Sequence, residues 1–195
     1  GLVVDEERTR VGIRRFDVSG AGLRINGERL FLCGTNRHQE YPFIGFALPD
    51  EAQHRDARLI KEAGFDYIRL SHYLHAPAFM DACDELGIVV MNCIPGWQYF
   101  NRADPAFTAL QYGNIRRMIR RDRNHACVLL WETSLNETEM PAEFIARSHA
   151  IGHEELPGDQ TFTCGWTEGY DVFIQARQHG GCVNVRDRAC VVSEY

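Results

Sequence analysis

Long apolar runs are missing from this chain. No uninterrupted apolar stretch approaches the roughly 20 residues that cross a bilayer as a helix, which excludes a spanning segment of that kind. The N-terminal stretch GLVVDEERTR has neither the basic start nor the apolar length of a signal peptide. An excess of positive charge is missing too. The net charge is −6 and the pI about 5.7, so nothing in the composition attracts a nucleic-acid backbone, and no nucleic-acid or membrane partner is expected. Lysine occurs once, at Lys61, and arginine carries the rest of the basic charge. The basic run IRRMIRRDR (115–123) reads as the wet side of one helix.

Closely spaced cysteine pairs are also lacking. The seven cysteines are odd in number and scattered, and Cys33, Cys127 and Cys190 lie in apolar, strand-like runs. They read as small buried hydrophobes rather than as a disulfide framework or a zinc site. No glycine-rich phosphate loop follows any strand, which removes the best reason to choose a nucleotide-binding sheet. No HExxH-like helix gathers His38, His72 and His75 into a metal site, and hydrogen bonding is the better reading of all three. No low-complexity segment or linker divides the 195 residues. Location stays open between the cytoplasm, the periplasm and the outside of a bacterial cell.

What is present is an ordinary globular composition, 45% hydrophobic and 25% charged, with enough apolar residues for one domain and its core. The stretch VGIRRFDVSGAGLRINGERLFLCGTN alternates around Asn26-Gly27, a turn pair that tolerates positive φ and predicts a hairpin. After Asp50 the period changes. DEAQHRDARLIKEAG places Ala57, Leu59, Ile60 and Ala63 at helical spacing and stops at Gly64. Then FDYIRLSH reads as a strand, APAFMDACDELG as a helix closed by Gly87, and IVVMNC as a strand. A helix over about 105–124, the strand CVLLWET and a helix in PAEFIARSHAIGHEE follow. QTFTCG, YDVFI and ACVVS complete the series. Near-continuous apolar strands alternating with helices predict parallel strands covered by helices, as an open doubly wound sheet or a closed barrel. In both, ligands collect at the C-terminal ends of the strands.

Polar and acidic groups gather at those ends: NRH, SHY, PGWQ, NE and the terminal EY. Glu137 and Glu194 close comparable strands. A facing pair of carboxyl groups, one protonating the leaving oxygen and the other attacking the anomeric carbon or activating water, is the minimal equipment for glycoside hydrolysis. Glu132, Glu139 and Glu168 read instead as helix-start or solvated loop charges, and Asp122 and His125 as ties between a helix and the fourth barrel strand.

The runs RLFLCGTNRHQE, GFDYIRLSHYLHAPAFMDACDELGIVV, RRDRNHACVLLWETSLNE and SEY together resemble the catalytic barrel of family 2 glycoside hydrolases, which includes β-galactosidases, β-glucuronidases and β-mannosidases. The resemblance implies an α/β fold, a (β/α)8 TIM barrel truncated after about strand seven, with a short N-terminal β segment. Residues 1–15 would be the end of a preceding β-sandwich domain or a linker, and 16–195 an incomplete catalytic barrel. By motif, Glu137 matches the acid/base and Glu194 the nucleophile. Asn136 matches the group that binds the sugar 2-hydroxyl, and Arg69, His72, His38 and Asn36 match pocket positions. Trp97, Tyr73 and Trp166 offer faces for a sugar ring. Where some members bind magnesium this chain reads MNCIPGWQ, so no metal and no cofactor is expected. The implied activity is that of a retaining exo-β-glycosidase, foremost a β-galactosidase, acting on an oligosaccharide or glycoside. Further domains of the same polypeptide are expected, a homo-oligomeric parent stays open, and the segment alone is expected to be weakly active or inactive. The alternatives are, within the family, a β-glucuronidase or β-mannosidase, and a catalytically silent carbohydrate-binding barrel, because WETSLNE stands where the family shows a WSLGNE-like segment.

Overall fold

A computed structural model describes residues 1–19, 22–158, 161–164, 167, 170–176 and 189–194. Three short antiparallel strands come first: β1 (Phe16–Ser19), β2 (Gly22–Ile25) and β3 (Glu28–Leu30). The β2–β3 turn is the Asn26-Gly27 pair, with φ of 51° and 88°, as the alternation predicts. The remaining elements are β4 (Gly34–Arg37), α1 (Asp50–Glu62), β5 (Tyr67–Leu70), α2 (Pro77–Leu86), β6 (Val89–Cys93), α3 (Pro105–Asp122), β7 (Val128–Glu132), α4 (Ala142–Glu155), β8 (Thr161–Thr163), β9 (Phe173–Ala176) and β10 (Cys190–Glu194). No helix among the described residues is long and apolar enough to cross a membrane.

Strands β4 to β8 form one parallel sheet in sequence order, and β9 and β10 form a parallel pair. A parallel bridge between Thr163 and Val172 joins the two sets, and β10 comes round to lie against β4. The result is the expected partial (β/α) barrel rather than an open sheet. Local chemistry sets the helix ends. Pro77 begins α2 and Gly87, at φ 66°, ends it; Asp104 caps α3 by accepting from the Ala106 amide at 2.9 Å.

The strands bury both faces. Ile68, Leu70, Val90, Val128 and Trp131 turn outward into a core shared with the helices, whereas Tyr67, Val89, Met91, Cys93, Leu129 and Leu130 fill the lumen. Phe16, Val18, Leu23, Ile25 and Leu30 of the N-terminal strands pack against that inner cluster and plug one end of the barrel. A cavity of about 1210 Å3 opens between β4 and β10 and is lined by Asn36 and Glu194 among others.

Several expectations need correction. Cys33 is exposed, because β4 begins only at Gly34, and it serves the fold through its carbonyl, which accepts from the Asp66 amide at 2.9 Å. Leu59 and Ala63 are exposed; α1 buries Ala57 as expected and turns Gln53 inward beside it, with Gln53 accepting from buried Arg37. Helix α3 ends at Asp122, short of the expected Asn124. Asp122 reaches not the fourth barrel strand but the third, through Asn92 Nδ2 at 2.5 Å, while His125 pairs with Asp84 of α2 at 2.7 Å. The arginines of the basic run do lie on the wet side, Arg117, Arg120, Arg121 and Arg123 being exposed. Ile115, Met118 and Ile119 are buried, and Arg116 and Arg120 pair with Glu155 of α4 at 3.4 and 2.7 Å.

Candidate active site

The centre of the site is Arg69, 1% exposed at the lumen face of β5. Its Nε donates to Glu132 Oε2 at 3.2 Å and its Nη2 to Oε1 at 3.1 Å and Oε2 at 2.9 Å, a two-point grip that fits a planar guanidinium to a planar carboxylate. Burial is the largest single influence on Arg69 and opposes its charged form, but Glu132, with Cys93, Tyr67 and Glu194 behind it, together outweigh burial and hold the guanidinium above its ordinary range. The Cys93 thiol donates to Glu132 Oε2 at 2.9 Å; burial, then the adjacent carboxylate, pushes that thiol well up, so it stays protonated.

Glu132 was expected to be a solvated charge, and this is the main correction. It is 2% exposed and ends β7 opposite Cys93. In the β6–β7 register Val90 faces Val128 but Met91 faces Leu130, so Leu129 is an extra residue on β7. Strict alternation from Val128 would turn Trp131 into the lumen and Glu132 towards the helices. The extra residue reverses that parity.

Arg69 also reaches the two regions singled out by motif. Its Nη1 donates to Glu194 Oε1 at 2.7 Å and its Nη2 to Asn136 Oδ1 at 2.9 Å. Glu194 comes from the end of β10, where a bulge between Val192 and Glu194 resets the pairing with β9. His72 Nε2 lies 3.9 Å from the same Glu194 oxygen. Burial, and next the charge of Arg69, pushes the His72 imidazole down to about 4, so at neutral pH the ring is uncharged.

Glu137 follows Asn136 in a left-handed conformation, φ 47°. Its Oε2 accepts from Trp97 Nε1 and Gln98 Nε2, both at 2.8 Å. The two loops are stitched together by the backbone: the Asn136 amide donates to the Gly96 carbonyl and the Gln98 amide to the Asn136 carbonyl. Gly96, at φ 145°, is required there, since a Cβ would lie 2.4 Å from Leu135 Cδ2. Trp97 keeps 60% of its surface exposed and presents a face beside Glu137.

The other expected pocket residues lie on the same side. His38 is exposed and meets the His72 ring edge-on, with centroids 5.6 Å apart, and Asn36 stands beside Arg69 in the β4–β5 register. Tyr73 is partly buried, and its hydroxyl accepts from the Gln39 amide at 2.7 Å, which makes it a brace for the loop after β4. His75 is fully buried and bonds Arg37 through Nδ1 at 3.1 Å, apart from His72 and His38 in role. Glu139 is exposed and pairs with Arg102, in line with its reading as a loop charge. Trp166 and Glu168 lie outside the described residues. Sequence reasoning missed Gln98, Cys93 and the inward turn of Glu132; only a strand-parity argument that included the bulge would have found the last.

Comparison with known proteins agrees with this fold. A family model described as "Glycosyl hydrolases family 2, TIM barrel domain" matches residues 16–151. The chain is 40% identical over 154 residues to a β-galactosidase of Thermoanaerobacter pseudethanolicus, covering 78% of this chain and 20% of that protein. It is 34% identical to a β-galactosidase of Pectobacterium atrosepticum, covering 100% of this chain and 18% of the relative. A crystal structure of Parabacteroides merdae β-glucuronidase superposes with a TM-score of 0.73 at 26% identity, covering 84% of this chain and 22% of that one. The chain thus spans about a fifth of the length of these relatives. A barrel of parallel strands, a polar cluster at their C-terminal ends and a family match over most of its length place this chain in glycosyl hydrolase family 2, as part of the TIM barrel domain.

Proposed function

We propose that this chain carries the catalytic centre of a retaining exo-β-glycosidase, with terminal β-galactosides as substrates, Glu137 as acid/base and Glu194 as nucleophile. One observation carries the reading: a single buried guanidinium, Arg69, holds Glu194 on Nη1 and Asn136 on Nη2, so the residue before Glu137 and the carboxylate of Glu194 are tied to one rigid plane. A retaining mechanism needs its two carboxyl groups roughly 5 Å apart.

In the first step Glu194 attacks the anomeric carbon while Glu137 protonates the departing glycosidic oxygen, and a covalent glycosyl-enzyme forms. Glu137 Oε2 accepts two N–H bonds, so the transferable proton belongs on Oε1. In the second step Glu137 removes a proton from water, which attacks the same carbon from the opposite side to the nucleophile and releases Glu194. Arg69 donates to Asn136 Oδ1, which leaves the amide NH2 as the donor for the sugar 2-hydroxyl. Neutral His72, beside Glu194, and exposed His38, against His72, bond further hydroxyls, and the Trp97 face supports the ring.

Galactose is put ahead of glucuronic acid or mannose because the relatives of higher identity are named β-galactosidases. The test uses the full-length protein with aryl β-galactosides, β-glucuronides and β-mannosides. Glu137→Gln should lower kcat/KM for poor leaving groups by about 10²–10⁴ and much less for activated ones. Glu194→Ala should be inactive, with azide restoring turnover of activated substrates as the inverted glycosyl azide. Full activity in either variant would remove the role assigned to that residue, and no hydrolysis by the unaltered full-length protein would leave only a carbohydrate-binding barrel.

A further inference from the structure

A second cluster of polar groups lies away from the Arg69 centre, between α4 and the start of β9. His149 and His153 are four residues apart on α4 and so share one face of the helix. Their Nε2 atoms are 3.2 Å apart. Asp171, just before β9, brings Oδ1 to 3.2 Å from His149 Nε2 and Oδ2 to 3.0 Å from His153 Nε2. The three donor groups are 26–35% exposed, so the site is open to solvent on one side.

Hydrogen bonds alone do not account for this arrangement. A neutral imidazole carries at most one proton on Nε2. If both rings donate to Asp171, two N–H groups confront each other at 3.2 Å; if one ring donates to the other, a lone pair of the acceptor faces a carboxylate oxygen. A cation at the common focus resolves the conflict, because all three groups then point lone pairs at one positive charge. The spacing agrees: ligand atoms about 2.0–2.1 Å from a tetrahedral zinc ion stand roughly 3.3–3.4 Å from one another. The rings are also braced. His153 meets Phe162 edge-on at 4.7 Å between centroids, His149 leans on Tyr170 at 4.8 Å, and the Phe162 amide donates to Asp171 Oδ2 at 2.8 Å, which orients the carboxylate.

Among the described residues the other group of ligating side chains, Asp84, His125 and Cys127, has no such conflict. The Asp84 oxygens accept from His125 Nδ1 and from the Cys127 amide, both at 2.7 Å.

We propose that His149, His153 and Asp171 bind one divalent transition-metal ion through two imidazole nitrogens and a carboxylate, with water completing the coordination. Imidazole–carboxylate sets of this kind suit zinc and its neighbours rather than calcium or magnesium. The ion clamps α4 to the segment that leads into β9. Asp171 stands at the opposite end of β9 from Ala176, the partner of Glu194, roughly 16 Å along the strand. The site therefore supports the strand pair that carries Glu194 without touching it, and it stands whether or not the glycosidase reading holds.

The full chain, stripped of metal with a chelator, is titrated with Zn2+ by calorimetry and with Co2+ by visible absorption. One ion per chain, a tetrahedral cobalt spectrum and an unfolding midpoint that rises with Zn2+ concentration are expected. The His149→Gln, His153→Gln double variant should bind roughly a hundredfold more weakly, as loss of two of three ligands requires, while Cys127→Ser binds as the parent does. Asp171→Asn, which keeps an acceptor for the Phe162 amide, is the second variant if the first does not fold. No saturable binding by the unaltered chain overturns the proposal, as does undiminished binding in the ligand variants or its loss in Cys127→Ser.

Discussion

Arg69 keeps its charge although it is 1% exposed, because Glu132 and Glu194 share it. The two carboxylates are not equivalent. Glu132 takes the two-point grip and is buried with its partner, whereas Glu194 keeps 22% of its side chain exposed and takes the remaining Nη1. Glu132 thus fixes the plane of the guanidinium, and the plane fixes where Glu194 and Asn136 can bind. Removing one partner of a buried pair leaves an uncompensated charge, which costs about 3–5 kcal/mol. Glu132→Gln is expected to lower stability by that order, read as a fall in the urea midpoint with an unchanged slope. The sequence identified Arg69, Asn136 and Glu194 through motifs that follow recognisable strands. It misread Glu132, since the orientation of that side chain depends on the extra residue Leu129, which is defined only against the neighbouring strand.

At the level of elements, the helices and strands were legible because their signals are local. Pro77 and Gly87 bracket α2, Asp104-Pro105 opens α3, and Asn26-Gly27 turns the hairpin. How the elements meet was less legible. Gly152 looks like a weak point inside α4, yet it lets β8 approach, because a Cβ there would lie 2.6 Å from the Phe162 ring. Gly152→Ala gains up to about 1 kcal/mol in helix propensity but forces Phe162 aside, an overpacking cost of about 1–3 kcal/mol. The expected result is a net loss of stability, recovered in part when Phe162→Leu is added; urea denaturation of the single and double variants measures both. The loop that carries Glu137 is another case. Its left-handed backbone and its bridge from Asn136 to Trp97 follow from the β6 loop pressing against it, not from any turn signal in TSLNET.

On the scale of the whole molecule, two histidines make the fold sensitive to acid. Burial first, then the charge of Arg37, pushes His75 down to about 3, and burial with Arg69 pushes His72 to about 4, from an ordinary 6.5. The unfolded chain takes up these protons below pH 6.5 while the folded chain does not. Stability is therefore full above 6.5 and is lost as pH falls towards 4 and then 3. His75→Asn keeps an acceptor for Arg37 at Oδ1 and removes one titration. Its urea midpoint should fall less between pH 6.5 and 4 than that of the parent chain, and an equal fall would assign the acid sensitivity elsewhere.

Period, helix ends and turn chemistry are set by neighbours within a few positions, so the sequence by itself determined the alternation of strands and helices, the parallel sheet and the polar ends of the strands. Family motifs added which of those polar residues belong together. Only the tertiary structure decided which carboxylate is paired inside the lumen, that Trp97 and Gln98 hold Glu137, and that two histidines of α4 meet Asp171. Each of those outcomes depends on register between strands or contact between segments distant in sequence, and such distances are fixed by packing around a shared core rather than by any run of residues alone.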